Sequence, residues 1–517
     1  MNKIKVLWID DEIDLLKPYI LFLTEKGYEM TTINNGSEAI DIIDDNFFDI
    51  IFLDENMPGL SGIETLSIIK NKYPSIPIVM ITKSEEESIM EEAISSKIAD
   101  YLIKPVNPNQ ILLCLKKNLD SKRLMSEKTT SKYQQEFRNI GIDITNKLNA
   151  EEWIEVYKRI SHWELELEQL DDAGMGDVLR FQKKEANTAF AMFVENNYSK
   201  WLNSKTDDKP VMSHTLLREK LFPLLNEKNN TFLIVLDNMR YDQWKVLQPY
   251  IEEMFKVENE NLYYAILPTT TQYARNALFA GLLPTEIEKK YPKLWIDEDE
   301  EGSKNSYEKE LLSEYLKRYG YDIKFSFNKI LNLAAGRKLV DNMSNLKEFE
   351  FNVIVYNFVD ILSHARTEME IIRELAEDES AYRSLTLSWF KHSPLYDMMK
   401  YIAEKKGTVL FTTDHGSIKV NEAVKVLGDK NTNSNLRYKF GKNLQYNPKD
   451  VFEIKNPSEI FLPRFNVSTT YIFCRNTDFF AYPNNYNYYV NYYRNTFQHG
   501  GISLEEMLIP VITLKAK

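Results

Sequence analysis

The side chains with the clearest chemical use lie in the stretch Thr412-Thr413-Asp414-His415-Gly416. An apolar run, 408–411, leads into this stretch, so we predict that it lies at the carboxyl end of a buried strand. Open α/β sheets bind ligands at that edge. An Asp beside a His offers an oxygen and a nitrogen to one metal ion. The sequence therefore predicts a metal site here.

Two more of the six histidines stand in comparable settings. His364 follows Asp360 by four residues, which is one helical turn, so both side chains can face one metal ion. His499 is followed by two glycines. We predict that these separated pieces close into one hydrolytic site with two metal ions.

Two polar residues follow apolar runs earlier in the same part of the chain. Asp237 ends a predicted strand, 231–236, and Thr271 follows Pro268 at the start of a predicted amphipathic helix. A threonine hydroxyl at a helix N-terminus lies in the positive end of the helix dipole. When it is bound to zinc, it can ionise near neutral pH and attack phosphorus.

The first part of the chain has polar residues at four predicted strand ends. They are Asp10 and Asp11, Asp54, Thr82, and Lys104 before Pro105. Because parallel strands of a doubly wound sheet share one carboxyl edge, we expect these side chains to converge. Three carboxylates would repel each other unless a hard cation such as Mg²⁺ lay among them. The lysine and the threonine suit an incoming phosphoryl group.

This pattern resembles the receiver domain of response regulators in order, spacing and chemistry. The resemblance implies that Asp54 accepts the phosphoryl group. The Mg²⁺ ligands would be Asp11, Asp54 and the carbonyl of Asn56, with Asp10 assisting. The residues that respond to the phosphate would be Thr82, Lys104 and the switch aromatic Tyr101. A receiver that has lost phosphorylation is the alternative, although no position departs from the pattern.

The C-terminal pieces, taken in order, resemble the alkaline phosphatase superfamily and, within it, the PglZ branch. The spacing around Thr271 is similar to that of nucleotide pyrophosphatase/phosphodiesterases. The resemblance implies that Thr271 is the nucleophile of a zinc enzyme. One Zn²⁺ would be bound by Asp237, Thr271, Asp414 and His415, and the other by Asp360, His364 and His499. Asn238 is a departure, because many relatives have glycine after the first Asp, and it affects turn geometry more than metal binding.

Several positions in this region leave alternatives open. Thr269 and Thr270 compete with Thr271 as nucleophile. Arg275 lies one turn after Thr271 and could bind a substrate phosphate oxygen, or it could cap a helix or form a bridge on the surface. The tyrosine-rich stretch 482–497 could stack nucleobases, or its tyrosines could pack at an insertion or a dimer surface.

The elements that must position these residues form three predicted domains. Strand and helix patterns alternate over residues 1–120, which favours a doubly wound α/β receiver domain. Residues 121–225 have helical periodicity and predict an all-α connector of three or four helices. This connector either spaces its neighbours or transmits the receiver's state. Residues 226–517 are expected to form an α/β domain of the alkaline phosphatase type.

Composition excludes several classes of protein. The net charge is -13, from 77 acidic and 64 basic residues, which argues against an output domain that binds duplex DNA directly. The two cysteines, Cys114 and Cys474, form no zinc or redox pattern. No apolar run reaches the ~18 residues of a membrane span, and the N-terminus does not have the pattern of a signal peptide. We therefore expect a cytoplasmic protein.

The combination of receiver, helical connector and PglZ-type domain resembles the PorX-like family of response regulators, which is tied to type IX protein secretion. The resemblance implies an upstream sensor histidine kinase, a homodimer promoted by phosphorylation, and a partner in the secretion system or a sigma factor. The expected reaction is zinc-dependent hydrolysis of a phosphodiester in a nucleotide or short oligonucleotide. The alternatives are a phosphomonoesterase and a metal-binding regulatory module that binds a partner protein or signal nucleotide without cleaving it.

Overall fold

A computed structural model describes the 517-residue chain except residues 1–3, 84–97, 169–172, 205–208, 228–229, 298–299, 301–302, 377 and 430–431. The chain divides into two compact units, Met1–Lys132 and Tyr133–Lys517, which we call the N-terminal and the C-terminal unit. Within the described ranges, no helix is long and apolar enough to span a lipid bilayer.

The N-terminal unit contains a five-stranded parallel sheet. Its strands are β1 (Lys5–Ile9), β2 (Glu29–Ile33), β3 (Ile50–Asp54), β4 (Ile78–Thr82) and β5 (Asp100–Ile103). Helices α1 (Lys17–Glu25), α2 (Gly36–Asp45) and α3 (Gly62–Lys72) and a 3-10 turn (Ile13–Leu16) lie between them. The spatial order β2-β1-β3-β4-β5 and the parallel register define a doubly wound sheet, as predicted.

Both faces of this sheet are covered, which explains the continuous apolar runs of its central strands. Leu7 and Ile9 of β1 belong to one buried apolar cluster, whereas Val6 and Trp8 belong to another. Alternate residues of a strand point to opposite faces. The strand ends with their polar residues are thereby fixed at one edge of the sheet.

Three long helices come next in the chain. They are α4 (Pro108–Thr145), which contains the division between the units, α5 (Ala150–Glu168) and α6 (Ala173–Asn203). Gly174 and Gly176 lie in the first turn of α6. A π-helical turn (Leu217–Leu221) and α7 (Phe222–Leu225) follow.

The all-α connector predicted over residues 121–225 is confirmed as helical, but its helices do not form a compact unit apart from the C-terminal sheet. From Tyr133 onward, the helices share one apolar core with the C-terminal sheet. Tyr157 of α5 lies 6.0 Å from Tyr241 between ring centroids, and Trp201 of α6 lies 5.3 Å from Tyr264. The reason is that the apolar stripes of α5 and α6 bury themselves against this unit as well as against each other.

The C-terminal unit is built around a six-stranded mixed sheet. Its strands are β6 (Thr231–Leu236), β7 (Phe255–Tyr264), β8 (Phe325–Ile330), β9 (Phe351–Tyr356), β10 (Thr408–Thr412) and β18 (Leu508–Ala516), in the order β7-β18-β10-β6-β9-β8. Strand β18 is antiparallel to both of its neighbours, and β10, β6, β9 and β8 are mutually parallel. The α/β class predicted for this part of the chain is confirmed.

Helices and short strands surround this sheet. The helices are α8 (Tyr241–Glu252), α9 (Asn276–Ala280), α10 (Pro284–Lys290), α11 (Glu308–Arg318), α12 (Leu333–Asp341), α13 (Phe358–Glu368), α14 (Glu370–Leu375), α15 (Glu379–Lys391), α16 (Pro394–Glu404), α17 (Tyr486–Tyr493) and α18 (Leu504–Met507). A π-helical turn (Thr271–Arg275) precedes α9, and 3-10 turns lie at Met343–Glu348, Pro448–Asp450 and Pro457–Ile460. The short strands are β11 (Ile418–Lys419), β12 (Glu422–Lys425), β13 (Tyr438–Gly441), β14 (Phe452–Ile454), β15 (Thr470–Phe473), β16 (Asp478–Ala481) and β17 (Phe497–Gln498).

Candidate active site

Neighbouring parallel strands bring the first two acidic residues together. Asp237 directly follows β6, and Asp414 comes just after β10, which pairs with β6 in parallel register. Both side chains are fully buried. Asp360 lies in the first turn of α13, the helix that follows β9, and β9 is the other neighbour of β6. Three adjacent strand ends therefore place three carboxylates at one edge.

The first cluster consists of Asp237, Asp414, His415 and Thr271. His415 Nε2 lies 3.8 Å from Asp237 Oδ1 and 3.7 Å from Asp414 Oδ2. Thr271 Oγ1 lies 3.1 Å from His415 Nε2 and 3.5 Å from Asp237 Oδ1. These four side chains point their polar atoms at one small volume.

The second cluster consists of Asp360, His364 and His499. Asp360 Oδ1 lies 3.6 Å from Nε2 of both histidines. The His499 ring stacks on the His415 ring with 4.3 Å between centroids, so the two clusters are adjacent. The His364 side chain is 60% exposed, whereas His499 is largely buried, which makes the α13 side the open side of the site.

The donor atoms of both clusters fit zinc. Carboxylate and imidazole donors about 2.0–2.2 Å from a tetrahedral ion lie roughly 3.4 Å from each other, close to the separations found here. His415 Nδ1 faces the Gly416 carbonyl at 3.2 Å, and His499 Nδ1 faces the Thr269 carbonyl at 3.3 Å. A hydrogen bond from each Nδ1 would leave Nε2 unprotonated and available to a metal. Within the described residues, the buried Asp414 Oδ2 accepts no hydrogen bond.

The buried carboxylates of the site repel each other, and a bound cation would offset this repulsion. Burial and the Asp237 carboxylate raise the pKa of Asp414 well above its ordinary value. Burial also pushes the pKa of Asp237 upward, but the net shift is downward, and the charge of Arg275 is the largest effect that lowers this pKa. Burial lowers the pKa of His415 and of His499, so both imidazoles stay neutral, as metal ligands must be.

Asn238 has a role that the sequence did not reveal. It has φ +62°, the left-handed conformation that glycine adopts freely and Asn tolerates. Its backbone N–H donates to Asp414 Oδ1 at 3.3 Å, and its side-chain Nδ2 donates to Asp360 Oδ1 and to Ser363 Oγ, both at 3.2 Å. Asn238 therefore contacts one ligand of each cluster.

Arg275 has neither of the roles predicted for it. Its guanidinium is buried and donates to Asp237 Oδ2 at 2.6 Å and to Glu308 Oε1 at 2.6 Å. It does not reach the surface, because Asp237 and Glu308 enclose it, so the predicted substrate contact is wrong for this arrangement. The sequence concealed this pairing, because Glu308 is 33 residues away along the chain.

The three neighbouring threonines have different surroundings. Thr271 is the member that faces the first cluster. Thr269 Oγ1 donates to the Gly501 carbonyl and accepts from the Gly500 N–H, both at 3.0 Å, and so fixes the loop of His499. Thr270 Oγ1 is buried without a hydrogen-bond partner in the described part of the chain.

Near the first cluster lies a group of paired charges, some of them fully buried, that we call the connector cluster. Its members are Glu164, Glu168, Lys183, Arg240, Asp242, Glu379, Arg383 and Glu505. Lys183 of α6 lies 3.1 Å from Glu164 of α5 and 3.0 Å from Glu505. A Cβ at Gly416 would lie 2.0 Å from the Glu505 carbonyl oxygen, so the cluster touches the loop that follows His415.

The predicted phosphorylation site of the N-terminal unit is also assembled. Lys104 Nζ lies 2.9 Å from Asp10 Oδ2 and 2.8 Å from Asp54 Oδ1. Oxygens of Asp10, Asp11 and Asp54 come within 4.8 Å of one another. Burial raises the pKa of Asp54 to about 6, against the opposing effect of Lys104. One lysine does not balance three carboxylates, so this oxygen-only group fits Mg²⁺.

The remaining residues of the predicted switch lie around this pocket. The Thr82 hydroxyl donates to the carboxylate of Glu55, a residue that the sequence did not single out. Tyr101 is 41% exposed, and Asn56 follows β3 with an exposed side chain. Asp54 and Thr82 end adjacent parallel strands, as predicted.

Family models match three successive parts of the chain. A model described as the response regulator receiver domain matches residues 6–116, and the PorX response regulator linker domain matches residues 123–202. The BREX system PglZ alkaline phosphatase-like domain matches residues 216–514.

Individual relatives are similar to about a quarter of the chain. The chain is 32% identical over 140 residues to the transcriptional regulatory protein ZraR of Klebsiella oxytoca, which is 27% of this chain and 32% of ZraR. It is 33% identical over 115 residues to the transcriptional regulatory protein ResD of Bacillus subtilis, which is 22% of this chain and 48% of ResD. The chain thus spans a third to a half of the length of these relatives.

A solved structure of the chemotaxis protein CheY4 of Vibrio cholerae is 31% identical, with a TM-score of 0.22, and covers 23% of this chain and 100% of that one. Residues 6–116 are thus similar to the receiver domains of response regulators. Because the PglZ model matches more than half of the 517 residues, the chain belongs to the PglZ family of alkaline phosphatase-like proteins.

Proposed function

We propose that the C-terminal unit is a zinc-dependent phosphodiesterase that acts on nucleotides or short oligonucleotides through Thr271. The observation that carries the proposal is the position of Thr271 Oγ1, 3.1 Å from His415 Nε2 in one cluster, with a second cluster of Asp and His stacked directly beside it. A pure binding module needs metal ligands but has no need of a hydroxyl in their midst.

Zinc in the first cluster would favour the ionised Thr271 oxygen, and zinc in the second would neutralise charge on the leaving oxygen. Thr271 Oγ forms a bond to phosphorus while the bond from phosphorus to the leaving oxygen breaks. The leaving oxygen keeps the electron pair and takes a proton from water. A water molecule then hydrolyses the phospho-Thr271 ester and restores the hydroxyl.

Regulation would come from the N-terminal unit. In this proposal a sensor histidine kinase transfers a phosphoryl group to Asp54, and Mg²⁺ binds among Asp10, Asp11 and Asp54. Phosphorylation would promote a homodimer. The match of residues 123–202 to the PorX linker supports a link to type IX secretion. The partner would be a component of that system or a sigma factor. The protein would act in the cytoplasm.

The test compares Thr271→Ala with Thr270→Ala, a neighbour whose buried hydroxyl has no hydrogen-bond partner in the described residues. Zinc content is measured by elemental analysis, and turnover is measured on paired chromogenic monoester and diester substrates with and without chelator. We expect about two zinc ions per chain, with diester turnover that is abolished in Thr271→Ala and retained in Thr270→Ala. Normal turnover in Thr271→Ala would refute the nucleophile.

The same assay separates the alternatives. Preference for the monoester would identify a phosphomonoesterase. Bound zinc without turnover on either ester would identify a regulatory module that binds its ligand without cleaving it.

A further inference from the structure

Helix α17 presents an unusual aromatic face, which we call the tyrosine platform (Tyr488, Tyr489, Tyr492 and Tyr493). The rings of Tyr488 and Tyr492 are stacked, with 6.1 Å between centroids and 16° between planes. Those of Tyr489 and Tyr493 are also stacked, at 6.3 Å and 12°. The two pairs meet nearly at right angles, so the platform is an ordered group of rings.

The rings of Tyr488 and Tyr489 face solvent, whereas Tyr493 packs against the apolar cluster that holds the other side of α17. Val490 is buried with Ile418 and Phe479 in a small apolar cluster. In contrast, the exposed fractions are 64% for Tyr488 and 38% for Tyr489. The Tyr488 ring is therefore the open end of a stack that begins with Tyr492.

The other end of the stack leads to the second cluster. The Arg373 guanidinium lies 5.4 Å from the centroid of the Tyr492 ring, and its Nη2 donates to the Thr367 carbonyl at 2.7 Å. Thr367 also accepts a hydrogen bond on Oγ1 from Gln498, the residue before His499. On α13, Thr367 lies about one turn, roughly 5 Å, beyond His364. A chain of contacts therefore joins the platform to α13, the helix that carries His364, on the open side of the site.

This arrangement suits a nucleobase better than a phosphate-rich duplex. Tyrosine rings stack on any base through their π-faces, and a guanidinium at the inner end of the stack can balance the charge of a nearby phosphodiester. The chain carries a net charge of -13, so general electrostatic attraction cannot collect a polyanion. Aromatic stacking supplies affinity without requiring a basic surface.

We propose that the tyrosine platform is a subsite for one base of a single-stranded oligonucleotide, the base of the nucleotide that leaves. The proposal rests on the phosphodiesterase function proposed above, because that mechanism places the leaving oxygen at the second cluster, on the platform's side. It narrows the substrate class to oligonucleotides that carry a base next to the scissile bond.

The test uses three dinucleotides with the zinc-loaded full-length protein. One is diadenylate, and the other two have an abasic sugar on the 5′ or the 3′ side. We expect the wild-type KM to rise at least about fivefold for one of the two abasic substrates. Tyr488→Ala should raise KM for diadenylate by a similar factor, with little change in kcat. The variant should therefore have similar KM values for diadenylate and for that abasic substrate. Tyr488→Phe, which keeps the ring, should behave as wild type.

A binding measurement separates failure of this inference from failure of the proposed function. Thr271→Ala is titrated with a 2-aminopurine dinucleotide, whose fluorescence is quenched by stacking, and the double variant with Tyr488→Ala is compared. Quenching that is lost in the double variant supports the subsite even if no ester is hydrolysed. Equal quenching and equal KM values would overturn it. Loss of the dimer in Tyr488→Ala, with unchanged KM, would overturn it in favour of a contact between two copies of the chain.

Discussion

Replacing Asn238 with glycine removes the amide that touches the second cluster and leaves the backbone that touches the first. Glycine keeps the φ of +62° without strain, so the hydrogen bond from the backbone N–H to Asp414 should survive. The hydrogen bond of 3.2 Å from the Asn238 side chain to Asp360 Oδ1 is lost. The variant therefore tests the contact of Asn238 with the second cluster while its contact with the first cluster is kept.

The expected size follows from the lost contact. A hydrogen bond to a charged group contributes about 1.5–3 kcal/mol, and a contact of this length lies at the weak end. A loss of about 1.5 kcal/mol corresponds to a tenfold lower affinity for zinc at the second cluster. Removing such outer contacts to metal ligands lowers affinity by about 10–100-fold, which agrees with this value.

Zinc binding is measured by competition with a chromophoric chelator, which should resolve two dissociation constants. His364→Ala, which removes one ligand of the second cluster, identifies the constant that belongs to it. Asn238→Ala should lower the same zinc affinity and also cost about 1 kcal/mol of stability, because alanine is strained at positive φ. The reasoning is refuted if Asn238→Gly leaves the second constant unchanged, or if it weakens the first cluster instead.

Three further predictions concern stability and the receiver. Burial raises the pKa of Glu164 to about 7, so the stabilisation that this group contributes is fully present below its unfolded pKa and is lost as pH rises through 7; urea unfolding should show a weaker loss of stability over this pH range in Glu164→Gln than in wild type. Gly281 has φ +58° and its Cβ would lie 2.1 Å from the Tyr315 ring, so Gly281→Ala should cost about 3 kcal/mol in thermal unfolding, whereas Gly320→Ala, at φ +79° with open space around it, should cost about 1 kcal/mol. Asp54→Asn should abolish the phosphorylated species that acetyl phosphate produces, seen as a missing mass increment of one phosphoryl group, and a phosphorylated Asp54→Asn chain would contradict the assignment.

The sequence was sufficient wherever a residue type marks a strand end. A strand buried on both faces is a continuous apolar run, so the residue after it is conspicuous. That is why Asp54, Asp237 and Asp414 could be placed at sheet edges before the structure was known. Their convergence followed from the shared carboxyl edge of parallel strands.

Contacts between segments that are far apart in the chain could not be predicted from the sequence. Strand β18, from the last residues of the chain, lies between β10 and β7, and no local pattern specifies that insertion. The role of Arg275 stayed open between a substrate contact and a cap or surface bridge, because its partners Asp237 and Glu308 are 38 and 33 residues away. The contacts of Asn238 with Asp360 depend on how two strand ends lie in space, so its spacing in the sequence indicated only a turn.

The core shared by the long helices and the sheet has a consequence for how these parts of the chain evolve. The linker match ends at residue 202 and the PglZ match begins at residue 216, yet the folding unit begins at Tyr133. A segment beginning at residue 216 would leave Tyr241 and Tyr264 without the rings of α5 and α6 that cover them. Substitutions on the inner faces of these helices must therefore be accepted by the sheet as well, and we expect the linker and the PglZ-type domain to be inherited and to diverge as a single piece.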